Sequence, residues 1–217
     1  MAKIIGLDEA VELVREGMTI MVGGFMACGG ANTIVDAIVA KGTKNLTLIA
    51  NDAAMPGVGI GRLVENHQLR RLVASHVGLN PQVGQQMASG ELEVELVPQG
   101  TLVERIRAGG YGLGGILTPT GIGTLVAEGK EIITVDGTPY LLEKPLRADV
   151  ALICGHTVDR SGNVWYKGTS RNFNQVMAFA GETVIAEADH LVGVGDIAPE
   201  NVVTPNVLVD YIVEGQA

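Results

Sequence analysis

Apolar and polar positions follow two rhythms along this chain. Between Leu7 and Glu16 the residues Leu7, Val11 and Val14 recur at helical spacing, with Asp8, Glu12 and Arg15 on the other face, and Gly17 is placed to stop the helix. The rhythm then tightens into a short apolar run, Thr19 to Val22, which predicts a strand. The same succession repeats: Asn32 or Thr33 can cap a helix running to Lys41, Gly42 supplies its stop, and Leu46 to Ala50 has the unbroken apolarity of a buried strand. Further strands are expected near Leu72 to Ala74, Glu93 to Val97, Val150 to Ile153 and Thr183 to Ile185, with helices between several of them. Thr101-Leu102-Val103-Glu104 has the form of a capping box, so Thr101 is expected to cap a helix that Gly109 and Gly110 end. From Gly109 to Gly123 the chain is glycine-rich and contains Thr118-Pro119-Thr120, which predicts a long loop.

Strands alternating with helices predict an α/β domain spanning 1–217: an open, mainly parallel sheet covered by helices on both faces. In such sheets ligands bind beyond the carboxyl ends of the strands, so the loops there carry the candidate chemistry. The chain is 47% hydrophobic and only 18% charged, which points to surface covered by another subunit; continuous apolar strands of a parallel sheet raise the same average. A net charge of -9 removes the long-range basic field that gathers nucleic acid or an anionic membrane, and an aromatic content of 4% offers little for base stacking.

The start, Met1-Ala2-Lys3-Ile4-Ile5-Gly6, has neither a signal-peptide core nor a membrane span. With Cys28 and Cys154 far apart and no dense cysteine framework, a cytoplasmic protein without disulfides is expected. His67, His76, His156 and His190 are widely separated and lack ligand spacing, so no metal is expected.

The most informative stretch is Ile20 to Gly30, where an apolar strand breaks into Gly23-Gly24-Phe25-Met26-Ala27-Cys28-Gly29-Gly30. Glycines there allow close backbone approach, and successive amides can face an anion or an oxyanion; a tight strand-to-helix turn would use the same residues. Gly110 to Gly115 satisfies G-x-G-x-x-G but follows a predicted helix, so the dinucleotide context fails. A P-loop and a G-x-S-x-G elbow are both missing.

Glu16-Gly17-x-x-Ile20-Met21-Val22-Gly23-Gly24-Phe25-x-x-x-Gly29 resembles the first signature of the family I CoA-transferases. That signature runs Asp/Asn-Gly, two residues, three apolar, Gly-Gly-Phe, three residues, Gly-x-Pro; here Glu16 and Ala31 depart from it. The similarity continues at Ile49 to Asp52, Ser89 to Val94, Pro98 to Thr101, Arg105 to Gly110 and Thr118 to Gly121, and so covers essentially the whole chain. It is similar above all to the separate alpha subunits that serve acetate, butyrate or acetoacetate.

The resemblance implies an open α/β/α fold of the NagB/RpiA-like kind, an obligatory beta subunit in a hetero-oligomer, and short-chain acyl-CoA and carboxylic acid substrates. It implies no resident cofactor, because CoA is a substrate and a transient covalent adduct on the partner. The family nucleophile is a glutamate in a Ser-Glu-Asn-Gly type motif of the beta subunit. Glu200-Asn201-Val202 is the nearest fragment here and lacks both the serine and the glycine.

Asn51 and Gln99 fall on family positions lining the reacting carboxylate, with the loop from Gly23 through Gly24, Phe25, Met26, Ala27, Cys28 and Gly29 to Gly30 supporting the CoA thioester. Read without the resemblance, Asn51 suits a turn and Gln99 a helix start. Asp52 is expected to support that loop region, and Trp165 to anchor a strand or an interface. Arg70, Arg71, Arg105 and Arg107 suit a solvated surface better than a phosphate site. A non-catalytic CoA-ester or sugar-phosphate binding protein on a related fold is the alternative.

Overall fold

A strand that is apolar at every position has to be covered on both faces. Leu46 to Ile49 is buried throughout. The structure, a computed structural model, describes residues 1–215. Its elements are β1 (Lys3–Ile4), α1 (Leu7–Glu12), β2 (Thr19–Val22), α2 (Asn32–Lys41), β3 (Leu46–Ile49), α3 (Gly61–Glu65), β4 (Leu69–Ala74), α4 (Pro81–Ser89), β5 (Glu93–Leu96) and α5 (Gln99–Gly110). There follow β6 (Ile116–Thr118), β7 (Ile132–Val135), β8 (Thr138–Glu143), β9 (Ala148–Asp159), β10 (Val164–Trp165), α6 (Asn174–Ala180), β11 (Gly181–Val192) and β12 (Tyr211–Glu214).

The main sheet has the order β1-β12-β11-β9-β2-β3-β4-β5, parallel at every step, with β10 antiparallel on β9. Alternate side chains feed two apolar layers. Ile20, Leu48 and Leu72 pack on one face with Ile34 and Ile38 of α2, Leu63 of α3 and Val83 of α4. Met21, Ile49 and Val73 pack on the other with Leu102 and Ile106 of α5 and Met177 of α6. This is the open α/β/α arrangement expected from the alternation of strands and helices.

Several local expectations need correction. The first helix ends at Glu12; Leu13 and Val14 bond back three residues in a tighter turn, and Gly17 takes φ 79° to redirect the chain. Neither Asn32 nor Thr33 caps α2, whose N-cap is Ala31; the Glu187 carboxylate accepts from the Thr33 and Ile34 amides instead. Gly42, at φ 74°, does terminate that helix.

The capping box does not form: α5 starts three residues early, with Pro98 at the N-cap, and Thr101 is buried with its hydroxyl unpaired among the described residues. Glu104 pairs with Arg107. Gly109 and Gly110 stay helical, and the expected loop to Gly123 contains β6, part of a separate antiparallel sheet ordered β6-β8-β7.

Candidate active site

The candidate residues gather where a parallel sheet exposes its carboxyl ends. Loop 23–31 leaves β2, Asn51 follows β3, Ser75 follows β4 and Gln99 follows β5, so sequence-distant polar groups meet above one edge. Phe25, Asn51, Gln99, Val103, Asn172 and Phe173 line a cavity there of about 450 Å³, with Gly100 and Thr169 completing its wall.

Asn51 is 2% exposed, and its Oδ1 accepts from Gln99 Nε2 at 2.7 Å and from Ser75 Oγ at 3.1 Å. The same hydroxyl lies 2.6 Å from the Asn51 carbonyl. These donors fix which way the Asn51 amide points. With Oδ1 occupied, its Nδ2 is the group left to serve the cavity, along with the second Nε2 hydrogen of Gln99. Two amides thus sit together with donors that have no acceptor among the described residues. None of the lining residues bears a carboxylate.

The glycine loop is organised differently from the expectation. Six of its eight amides already donate within the protein: Gly23 to Leu152 O, Gly24 to Asn172 Oδ1, Phe25 to Cys28 O, Met26 to Asp52 Oδ2, Cys28 to Phe25 O and Gly30 to Ala27 O. Only the Ala27 and Gly29 amides lack a protein acceptor among the described residues. The glycines serve self-packing: a Cβ on Gly23 would lie 1.9 Å from Asn174 Oδ1, and one on Gly29 would lie 2.7 Å from Ser170 O. Met26 and Ala27, at φ 50° and 67°, complete a tight turn that holds Phe25 half exposed at the cavity. Cys28 is an exposed free thiol on the same turn.

Three residues hold this loop in place. Asp52, 5% exposed, accepts from Met26 N at 2.9 Å and Ala54 N at 2.7 Å, which ties the loops after β2 and β3 together. Asn172 accepts from Gly24 N at 2.9 Å and donates to Cys28 O at 3.1 Å. Asn174, fully buried, accepts from Cys154 N at 2.9 Å and donates to Gly29 O and Ser170 O, each at 2.8 Å. Asn172 and Asn174 carry no signal in the sequence: they lie some 145 residues from the loop and follow no periodic pattern.

The first turn of α2, directly after the loop, is occupied by Glu187, whose carboxylate accepts at 3.1 Å and 3.0 Å from the Thr33 and Ile34 amides. Burial pushes the Glu187 carboxyl above the usual carboxylate range, partly offset by those two backbone bonds. An anion cannot take this helix terminus while the side chain fills it.

The remaining sequence candidates lie elsewhere. Arg71 pairs with Glu93 and Glu95, Arg105 with Glu95 and Glu143, and Arg107 with Glu104, while Arg70 bonds Thr47 and Gly17 O. His76 is exposed and does not line the cavity. Trp165, half-buried in β10, packs edge-on to His156. Glu200 is exposed in a 3₁₀ turn, and Asn201 borders a different cavity.

The coenzyme A transferase family model matches residues 4–215. The chain is 53% identical over 216 residues to the alpha subunit of acetoacetyl-CoA:acetate/butyrate CoA transferase of Clostridium acetobutylicum, covering 100% of this chain and 99% of that one. It is 50% identical to the acetate CoA-transferase subunit alpha of Escherichia coli K12, covering 99% and 97%. Among solved structures, an acyl-CoA transferase from E. coli O157:H7, crystallised as a thioester complex with CoA, superposes with a TM-score of 0.89 at 23% identity. That likeness covers 100% of this chain and 48% of the other, so the chain spans about half the length of that protein and shares its fold. Matched by the family model over nearly its whole length and by full-length relatives at about half identity, this chain belongs to the coenzyme A transferase family.

Proposed function

We propose that this chain is the alpha subunit of a heteromeric CoA-transferase that moves CoA between a short-chain acyl-CoA (acetoacetyl-, butyryl- or acetyl-CoA) and a carboxylate acceptor such as acetate. The observation that carries the reading is the Asn51–Gln99 amide pair on a cavity whose lining offers hydrogen-bond donors and no carboxylate. Such a site can stabilise developing negative charge but cannot supply a carboxylate nucleophile, which leaves that part to the beta subunit. Identity with two alpha subunits over nearly their full lengths supports the same division.

In this reading the partner's glutamate attacks the acyl-CoA carbonyl, and the thioester C–S bond breaks to give an acyl-glutamyl anhydride and CoA thiolate. The thiolate then attacks the glutamyl carbonyl and expels the first carboxylate, which leaves a glutamyl-CoA thioester. The acceptor carboxylate repeats the two steps in reverse and leaves as its CoA ester. Each step passes through a tetrahedral oxyanion. Asn51 Nδ2 and Gln99 Nε2 donate to that oxygen, while the loop carrying Gly23 to Gly30 shapes the thioester side through Phe25. CoA enters as substrate, and neither a resident cofactor nor a metal has a part.

We place the reaction in the cytoplasm. The exposed free thiol of Cys28 suits a reducing compartment, and no helix among the described residues is long and apolar enough to cross a membrane.

The test is CoA transfer from acetoacetyl-CoA to acetate by the purified chain, alone and mixed with its beta subunit. Turnover only in the mixture is expected. Turnover by the chain alone would overturn the division of labour. Silence from a complex shown to be assembled would overturn the substrate assignment.

A further inference from the structure

The cavity that carries Asn51 and Gln99 has walls of two kinds. Phe25 contributes one of them and is 48% exposed, so the cavity is open to the outside there. Val103 and Phe173 contribute another and belong to the apolar layer under α5 and α6. Phe173 is buried, Val103 is half-buried against the same layer, and Leu102, Ile106 and Met177 within it are fully buried. Packing of that density leaves no way through. The cavity therefore has a mouth beside Phe25 and a closed, apolar end at Val103 and Phe173.

The polar groups on the wall are few. Asn51 and Gln99 keep donors for a ligand. Asn172 has nothing left to give: its Oδ1 accepts from Gly24 N at 2.9 Å and Phe173 N at 2.6 Å, and its Nδ2 donates to Cys28 O and Thr169 O, each at 3.1 Å. Thr169 offers one hydroxyl, next to Cys28 Sγ at 3.9 Å, which suits a neutral oxygen on a substrate chain. No lining residue is basic. A second carboxylate on the substrate would lose its water here without a cation to meet it.

Helix geometry supplies the scale. Gln99 and Val103 are four residues apart on α5, so their side chains share a face with their Cβ atoms about 5–6 Å apart. With the acyl carbonyl held at Gln99 and the CoA arm leaving by the mouth, the carbon chain is directed at Val103. A four-carbon chain extends about 4 Å from its carbonyl carbon to its terminal methyl, which brings that methyl against the valine. Two further carbons would have to pass through it.

We infer that this closed end is the acyl-chain pocket and that Val103 limits the chain to butyryl length, with Phe173 completing an uncharged wall that refuses a dicarboxylic acid. The inference rests on the two-subunit transferase reading and gives its substrates an upper limit of size.

The assay gives acetoacetyl-CoA as donor to the assembled complex and compares acetate, butyrate, hexanoate and succinate as acceptors by kcat/KM. The wild type is expected to use hexanoate and succinate at least about 100-fold less well than butyrate. Val103→Ala is expected to raise the hexanoate-to-butyrate ratio about 10-fold or more, and Val103→Leu to lower the butyrate-to-acetate ratio by a similar factor. A merely structural valine would move all acceptors together. Unchanged ratios in both variants, or succinate used by the wild type as readily as butyrate, would overturn the inference. A contact measurement separates it from the transferase reading: with the valine methyl groups isotopically labelled and Val103 assigned through its alanine variant, saturating butyryl-CoA is expected to shift the Val103 NMR signals in the complex. No shift would overturn the inference even in a complex that turns over. A shift in a complex that transfers no CoA would instead sink the transferase reading and leave the acyl pocket standing.

Discussion

Replacing Asn51 by aspartate and by alanine separates a catalytic amide from a structural one, because the two readings predict opposite orders. Asn51 Oδ1 accepts from Gln99 Nε2 and from Ser75 Oγ, and an aspartate offers an oxygen at the same place. A structural asparagine would therefore tolerate Asn51→Asp better than Asn51→Ala, which leaves the Gln99 donor unmatched in a site only 2% exposed while Ser75 Oγ keeps the Asn51 carbonyl.

The catalytic reading reverses this. Alanine removes one oxyanion donor, worth about 3 kcal/mol of barrier, or roughly 150-fold in kcat. Aspartate removes the same donor and places a negative charge about 4 Å from the one that develops in the reaction. At an effective dielectric constant of about 20 this adds roughly 4 kcal/mol, or another factor of about 1,000. The assay is the steady-state exchange of CoA between acetoacetyl-CoA and acetate by the assembled two-subunit complex, with kcat and KM resolved and assembly checked by light scattering. Asn51→Asp is expected to be slower than Asn51→Ala by about three orders of magnitude in kcat, with both complexes intact. Equal rates, or a faster aspartate variant, would refute the placement of Asn51 Nδ2 against the oxyanion.

Three further outcomes follow from the same geometry. Gln99→Ala removes one cavity donor and the bond that steadies Asn51, so kcat is expected to fall more than about 100-fold while the complex still forms, as measured by the same exchange assay. Gly24→Val forces a branched residue to φ 124° with its Cβ 3.2 Å from Gly30 Cα, a strain of about 1–3 kcal/mol that displaces Phe25 from the cavity; loss of exchange activity with at most a small drop in melting temperature is expected. Asp159 accepts from Ser161, Gly162 and Asn163 at the turn between β9 and β10. Burial alone would raise its carboxyl, but those donors together hold it below the usual 3.8, so the native state favours the charged form. Asp159→Ala is expected to cost about 3 kcal/mol in urea unfolding at pH 7, with the deficit shrinking as pH falls below 3.8, because the wild type then loses what the charged carboxylate contributed.

What the sequence shows and what it hides divide along the range of the interactions involved. Loops after apolar strands were legible as the place for ligands because every parallel strand ends on the same edge, and Asn51 and Gln99 lie there. The bond between their side chains was not legible, since it joins residues 48 apart in the chain. The long strands β9 and β11 are foreseen only over short apolar stretches near their starts, Val150 to Ile153 and Thr183 to Ile185. Their polar ends, with Thr157, Asp159, Asp189 and His190, continue because each strand satisfies the other's backbone, His190 opposite Thr157 and Val192 opposite Asp159.

The expected cap at Thr101 failed for a related reason. A local rule competed with the end of β5 at Leu96 and with Pro98, whose carbonyl accepts from Leu102 N at 2.8 Å and starts the helix earlier. That early start makes Gln99 the first helical residue and so sets its side chain beside Asn51.

The glycine loop shows most clearly how function rests on distant parts of the chain. Its composition suggests a run of amides open to a ligand, yet most of them are engaged by its own turn, by Asp52 or by Asn172, and its carbonyls at Cys28 and Gly29 are held by Asn172 and Asn174. The shape presented to the cavity at Phe25 is therefore fixed by a segment near residues 170–174 that itself packs on β9. Glycine is required at Gly23 and Gly29 because that segment comes within 1.9 Å and 2.7 Å of where a Cβ would sit, well inside van der Waals contact. The loop and its asparagine clamp act as one unit, so a change at Asn174 reaches the site through the loop's carbonyls without touching the cavity.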